Sequence, residues 1–182
     1  MTNTINIINR TDRSTKLGFF PNLGPYQPSF NAERTIDIAA GENQLVELDH
    51  GWEGRIQKLT GAPNDPATWA EIHFNAFQNM TFVDISLIRG YNGSLVFTSN
   101  DGSLKTGVKD NLFFNAPNQF KLKDSQGNHV LDATEPYTGG QNMDLISYYR
   151  SRVPIGQGYI VPDDHSSSHG TQDTHIKLEI YS

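Results

Sequence analysis

Short runs of alternating apolar and polar residues, each cut off by Gly, Pro, Asn or Asp, constrain this chain more than any other feature. The cleanest is His175-Ile176-Lys177-Leu178-Glu179-Ile180-Tyr181. Successive side chains of a strand point to opposite faces, so this run packs one face on a core and offers the other to solvent. The same period predicts strands at Thr4–Ile8, Lys16–Phe20, Thr35–Ala39, Gln44–Leu48, Gly54–Leu59, Trp69–Phe74, Thr81–Ile88, Leu95–Thr98 and Gly158–Val161. Turn-forming clusters fall between them at Ala40–Asn43, Gly90–Gly93 and Asn100–Gly102. Short strands at this spacing predict an all-β sandwich or barrel.

The stretch Lys109–Val153 loses that rhythm. Phe113, Phe114, Phe120, Tyr137, Tyr148 and Tyr149 are scattered among Asn, Gln, Gly and Asp. A hairpin is expected from Gln119–Lys123 and His129–Leu131, and one helix over Asn142–Arg152, where Met143, Leu145, Ile146 and Tyr149 recur at roughly helical spacing. We read 1–182 as a single domain, with a β core from 1–104 and 155–182 and a looped lobe from 105–154 whose aromatics form its own core.

Composition excludes several classes of function. There is no cysteine, hence no disulfide, thiol nucleophile or thiolate metal site. The net charge of -6 comes with no basic run, which argues against nucleic acid as a partner. No apolar stretch approaches the roughly 18 residues of a membrane span. Met1–Arg10 has no basic segment followed by an apolar one, so the chain is expected to be cytoplasmic, or secreted if Met1 replaces a removed signal peptide. Glycosylation-type triplets begin at Asn9, Asn79 and Asn92. No phosphate-cradling glycine loop and no serine-nucleophile motif occurs, and no cofactor is expected. The oligomeric state is open.

Alternation also selects candidate site residues. In Trp69–Phe74, Ala70, Ile72 and Phe74 form the apolar face, which turns Glu71 and His73 the other way with Trp69. In Thr81–Leu87, Val83, Ile85 and Leu87 face the core, which turns Asp84 and Ser86 away with Phe82. Arg55 and Gln57 share one face of their strand. If these strands are neighbours, Arg55, Glu71 and Asp84 line one groove with Trp69 and His73. Aromatic rings beside carboxylates suit a sugar, whose C–H face stacks and whose hydroxyls donate. A carboxylate pair can also hydrolyse a glycoside, provided one member keeps a raised pKa. The bland alternative is that Arg55 bridges Glu71 and Asp84 and holds sheets together. His165 and His169, with His175, Asp163, Asp164 and Asp173 nearby, have a spacing that no helix supports; a solvated loop is expected there and no metal site.

The order of segments resembles that of the thaumatin-like (osmotin-like) proteins. Thr4–Arg10 is similar to their first strand, and Ile38-Ala39-Ala40-Gly41-Glu42 to an L-x-x-G-E/Q turn. Gly51-Trp52-Glu53-Gly54-Arg55-Ile56-Gln57-Lys58-Leu59-Thr60-Gly61 resembles the G-x-x-GR-[FIW]-x-x-R-TGC signature, with Ala62 in place of the cysteine. Trp69–Asn75 resembles LAEF-x-L, Phe82–Asn92 resembles YDVSLVDGFN, and Gly158-Tyr159-Ile160-Val161 resembles AYSY. The resemblance covers 4–98 and about 155–181. It implies a flattened antiparallel β-sandwich of about ten or eleven strands with a small loop-rich lobe and a cleft between them. It further implies that Arg55, Glu71 and Asp84 match the Arg, Glu and first Asp of the family's cleft. Arg89 falls where the second Asp belongs, and Asp144, Asp163 and Asp164 are substitutes for the third. The implied function is recognition of a cell-wall β-1,3-glucan or related glycan by Arg55, Glu71, Asp84, Arg89, Trp69 and His73. Two alternatives are weak endo-β-1,3-glucanase activity using Glu71 and Asp84, and a structural, storage or developmental role without chemistry. Without the family's disulfides, the lobe must be held by side-chain packing or be mobile.

Overall fold

Thirteen strands and one helix make up the computed structural model, which describes residues 2–182. The strands are β1 (Asn3–Asn9), β2 (Thr15–Pro21), β3 (Arg34–Ile38), β4 (Asn43–Leu48), β5 (Glu53–Lys58), β6 (Trp69–His73) and β7 (Thr81–Ser86). They continue with β8 (Ser94–Ser99), β9 (Lys105–Gly107), β10 (Lys121–Lys123), β11 (His129–Leu131), β12 (His169–Thr171) and β13 (His175–Tyr181); the helix α1 spans Met143–Arg152. A five-stranded sheet runs β4-β1-β13-β8-β9 and a six-stranded sheet β12-β7-β6-β5-β2-β3, while β10 and β11 form a separate hairpin. The two large sheets hold eleven strands, within the expected ten or eleven. One pairing departs from an antiparallel scheme: β1 lies parallel to β13, with Ile5 opposite Ile176 and Ile7 opposite Leu178.

The inner faces of the two sheets meet in one core. Ile5 and Ile7 of β1, Val46 and Leu48 of β4, and Leu178 and Ile180 of β13 pack with Phe19, Ile56, Ala70, Ile72, Val83 and Ile85 of the other sheet. Ala70, Ile72, Val83 and Ile85 are residues that alternation turned inward. Fully burying a large aliphatic side chain contributes about 1.5–3 kcal/mol, so this period sets which face of each strand turns inward.

A second core lies in the lobe. Leu112, Ala116, Phe120, Leu131, Leu145, Ile146, Tyr149 and Val153 pack with Leu87, Tyr91, Val108 and Ile160. Leu87 therefore serves this cluster and not the sandwich, and Ile160 reaches it from outside the expected bounds of the lobe. Tyrosine hydroxyls brace the loops: Tyr149 Oη donates to Asp132 O at 3.1 Å, Tyr148 Oη to Leu112 O at 2.5 Å, and Tyr91 Oη accepts from Leu112 N at 3.1 Å. α1 is capped by Asn142, whose side chain accepts from Leu145 N at 3.2 Å. Packing and these hydrogen bonds thus hold the region without disulfides.

Several local expectations fail for identifiable reasons. Gly158–Val161 is no ladder strand; only Tyr159 bridges, to Ser86. Gln119 and Phe120 belong to a 3₁₀ turn, and the hairpin strand starts at Lys121. Phe114 is 74% exposed and Met143 64% exposed, so neither joins the lobe core. The loop after Val161 holds a 3₁₀ turn and β12, which extends the six-stranded sheet by pairing with β7. β9 and β12 have three residues each, too few for a period to be read.

Candidate functional site

The outward face of the six-stranded sheet carries three rows of side chains in register. The middle row runs Phe20–Arg55–Glu71–Asp84 across β2, β5, β6 and β7. Gln57–Trp69–Ser86 lies on one side of it, and Glu53–His73–Phe82 on the other. Directly opposite residues on one face stand about 4.5–5.5 Å apart at Cβ, so the fold brings together what the chain spreads from residue 53 to residue 86. A pocket of ≈ 350 Å³ opens over these rows. Trp69, Glu71, His73, Asp84 and Arg89 line it, together with Asn22, Tyr26, Pro28, Glu53, Gly54, Ile72 and Phe82.

Arg55 is placed differently from the expectation. It lies beneath the pocket, 1% exposed, not on its wall. Its guanidinium sits 3.8 Å from the Trp69 ring centroid, 4.3 Å from that of Phe20 and 5.0 Å from that of Phe30. Arg55 Nε donates to Gln57 Oε1 at 2.8 Å, and Nη1 to Ser29 O at 2.7 Å. Burial draws its pKa down to about 10, against an opposite electrostatic pull from Tyr137 and Glu71. The ion pairs among the described residues are Arg10–Glu179, Glu53–His73 and Arg150–Asp164. Arg55 forms none with Glu71 or Asp84, and all three residues belong to one sheet. The bridge between sheets considered above is therefore not what Arg55 does. It is a post under the loop between β2 and β3: it holds Ser29 and Phe30, and that loop puts Tyr26 and Pro28 on the pocket rim.

Glu71 and Asp84 are half-buried and directly opposite each other in the ladder, so ionising one disfavours ionising the other. Burial raises the Glu71 pKa, opposed by the neighbouring Asp84 carboxyl and the charge of Arg55. Burial first, then the charge and proximity of Glu71, push Asp84 well above the usual carboxylate range. Two like charges side by side in a dry site cannot both ionise cheaply. Tyr159 stands close by, raised to about 12 by burial and by the charges of Asp84 and Glu71.

Three buried polar atoms here have no protein partner: Arg55 Nη2, Trp69 Nε1 and Asp84 Oδ1. Buried polar atoms are nearly always paired, and three of the six unpaired buried side-chain atoms among the described residues cluster under this pocket.

Some pocket residues escaped the sequence. Glu53 supplies the third carboxylate, and its His73 partner is 3.8 Å away. Its position two residues before Arg55, on the same strand face, was the available signal. Gly54 between them is obligatory, since a Cβ there would lie 2.3 Å from Phe20 O. Tyr26 is fully exposed in a loop with positive φ, where period carries no information. Of the substitutes for a third Asp, Asp164 is spent on Arg150 at 2.7 and 2.8 Å and on the amides of Ile160 and Val161, and Asp144 and Asp163 are exposed elsewhere. Arg89 reaches toward the lobe, with Nη1 donating to Glu135 O at 2.7 Å and the guanidinium 4.2 Å from the Tyr137 ring. Tyr137 in turn meets Phe30 edge-on at 5.9 Å, so the lobe is tied to the pocket loop.

The histidines do not converge. His169 Nε2 contacts Gly156 O, His175 Nδ1 contacts Thr4 Oγ1, and His165 is exposed. No group of three His, Cys, Asp or Glu suited to a metal occurs among the described residues. No described helix is long and apolar enough to cross a membrane.

No protein-family model matches the chain. A thaumatin-like protein of Actinidia deliciosa is 29% identical over 120 residues, covering 62% of this chain and 53% of that protein. The match thus spans about half the length of that relative. Among solved structures, the protein elicitor MoHrip2 from Magnaporthe oryzae superposes with a TM-score of 0.50 at 8% identity, covering 99% of both chains. The thaumatin-like xylanase inhibitor TLXI gives 0.46 at 11% identity over 97% of both. The chain is thus similar in sequence, over 62% of its length, to a thaumatin-like protein, shares its overall fold with the elicitor MoHrip2, and is built without a single cysteine.

Proposed function

We propose that the pocket over β5, β6 and β7 binds a glycan, with a cell-wall β-1,3-glucan as the leading candidate, and that the chain acts at such surfaces as a thaumatin-like defence protein. One observation carries this reading: Glu71 and Asp84 stand in register at the floor of a ≈ 350 Å³ pocket walled by Trp69, Phe82 and Tyr26. Rings stack on the C–H faces of a sugar, and carboxyl oxygens take its hydroxyl protons. The unpaired Asp84 Oδ1 and Trp69 Nε1 lie just beneath the same place. His73 and Arg89 complete the polar wall. Arg55 acts as a positioning residue, through the loop that carries Tyr26.

The same geometry favours binding over hydrolysis. Glycosidases hold their two carboxyls about 5–5.5 Å apart to retain configuration, or about 6.5–9.5 Å apart to invert it. Glu71 and Asp84 stand side by side on one face of one sheet rather than on two sides of the pocket. The test is incubation with insoluble β-1,3-glucan, with protein depletion and released reducing ends measured together. Depletion without release is expected. Release that disappears in Glu71→Gln would make the pocket catalytic instead.

A further inference from the structure

We propose that a second pocket, at the junction of the sandwich with the lobe hairpin, binds a small anionic sugar, with its phosphate, sulfate or carboxylate held by Lys58 and Arg13 and its ring against Phe114. This site is separate from the glycan pocket and does not depend on it. It has a volume of ≈ 430 Å³ and is lined by Lys58, Arg13, Asn111, Phe114, His129 and Thr60, among others.

Two cations line this space, and neither is paired with an anion. Neither the Lys58 ammonium nor the Arg13 guanidinium has a hydrogen bond or an ion pair among the described residues. The one lining side-chain carboxylate, Asp12, is exposed and paired with neither. Burial and the neighbouring charge of Arg13 hold the Lys58 pKa below its ordinary value, as expected of crowded cations with no counter-charge.

The backbone under both cations is clamped by buried asparagines. Asn9 Nδ2 donates to Arg13 O at 2.7 Å and to Ile38 O at 2.9 Å, and Thr11 Oγ1 also donates to Arg13 O. Asn92 Nδ2 donates to Lys58 O at 2.8 Å. Both are asparagines of glycosylation-type triplets, and both amides are consumed inside the fold; of the three triplets, that of Asn79 alone has an exposed asparagine. The Lys58 ammonium lies over Gly93, where a Cβ would come within 3.3 Å of Nζ, so the absence of a side chain there leaves it room. On the opposite wall His129 stacks on Phe113 with centroids 4.8 Å apart, and Phe114 is 74% exposed beside them. Unpaired cations on a clamped backbone, beside an open aromatic ring, match a ligand with a charged head and a ring body.

The test is titration of ¹⁵N-labelled protein with inorganic phosphate, glucose 6-phosphate, glucuronate and glucose. Glucose 6-phosphate or glucuronate should move the amides of Asn92, Gly93 and Asn128, and bind more tightly than inorganic phosphate; glucose should leave them in place. The tighter of the two identifies the head group. Lys58→Met keeps the aliphatic stem and should weaken binding about tenfold or more. Arg13→Ala, on an exposed turn that tolerates substitution, should weaken it about threefold or more. Lys177→Met removes the same charge from β13 and should leave affinity within about twofold. The proposal is overturned if neither anionic sugar moves those amides, if inorganic phosphate binds as tightly as the sugars, or if Lys58→Met and Arg13→Ala both bind like the parent.

Discussion

The sandwich and the lobe solve the same problem by different means. In the sandwich, ladders fix the register and one face of each strand enters the core, so Ile5, Ile7, Leu178 and Ile180 are buried almost automatically. In the lobe most of the chain is loop, and its core is assembled from single residues spread from Leu87 to Ile160. There the backbone is held by tyrosine hydroxyls and a capped helix. A disulfide in such a region contributes about 2–5 kcal/mol; here, with no cysteine, a hydrophobic cluster holds it. The lesson is that regular pairing makes a core cheap to specify, whereas irregular chain must be specified residue by residue.

We expect the two cores to unfold as one unit, and the largest effects test this. Phe97→Ala, which truncates a β8 side chain buried in the sandwich core, and Tyr149→Ala in the lobe should each cost about 3–5 kcal/mol. In denaturant, fluorescence of Trp52 and Trp69 in the sandwich and amide exchange in the lobe should report one common midpoint for each variant. Separate midpoints in Tyr149→Ala would make the lobe an independent unit. Next comes the residue that links the regions through the loop. Arg55→Met should cost about 2–4 kcal/mol, by losing two charge-assisted hydrogen bonds and the stacking on Trp69 and Phe20. The same variant should raise amide exchange around Ser29 and at Tyr137; no change there would end its role as a post. Asn142→Ala should cost about 1 kcal/mol in thermal unfolding, by uncapping α1.

The smallest change is a gain. Glu71 and Asp84 bind their proton more tightly in the folded chain than in the unfolded one. Their contribution is therefore fully present below the ordinary carboxylate range, and it is lost as pH rises toward the raised folded values. Glu71→Gln should flatten that loss and leave the protein at least as stable at pH 7. A variant whose stability still falls with pH over that window would assign the dependence elsewhere. A pocket kept at a cost to stability is a common mark of a binding site.

The same contrast decides what the sequence revealed. Alternation in His175–Tyr181 and Trp69–Phe74 exposed both the strands and the faces, and through them Glu71, Asp84, Trp69 and His73 on one surface. It said nothing about depth, so Arg55 was expected on the pocket wall and lies below it. It could not reach Tyr26, whose place depends on a loop pinned by Arg55. Nor could it find β12 or separate Gly158–Val161 from a true strand, because a neighbour across space makes the one and denies the other a ladder. The basic pocket was invisible for the same reason: Arg13, Lys58 and His129 share no element.

The most direct measurement is co-sedimentation with insoluble β-1,3-glucan of the parent, Glu71→Gln and Asp84→Asn. Our account predicts depletion of the parent with no reducing ends released, and a loss of affinity of about tenfold or more in each variant, with folding retained by circular dichroism. A parent that stays in solution, or variants that sediment as it does, would contradict it.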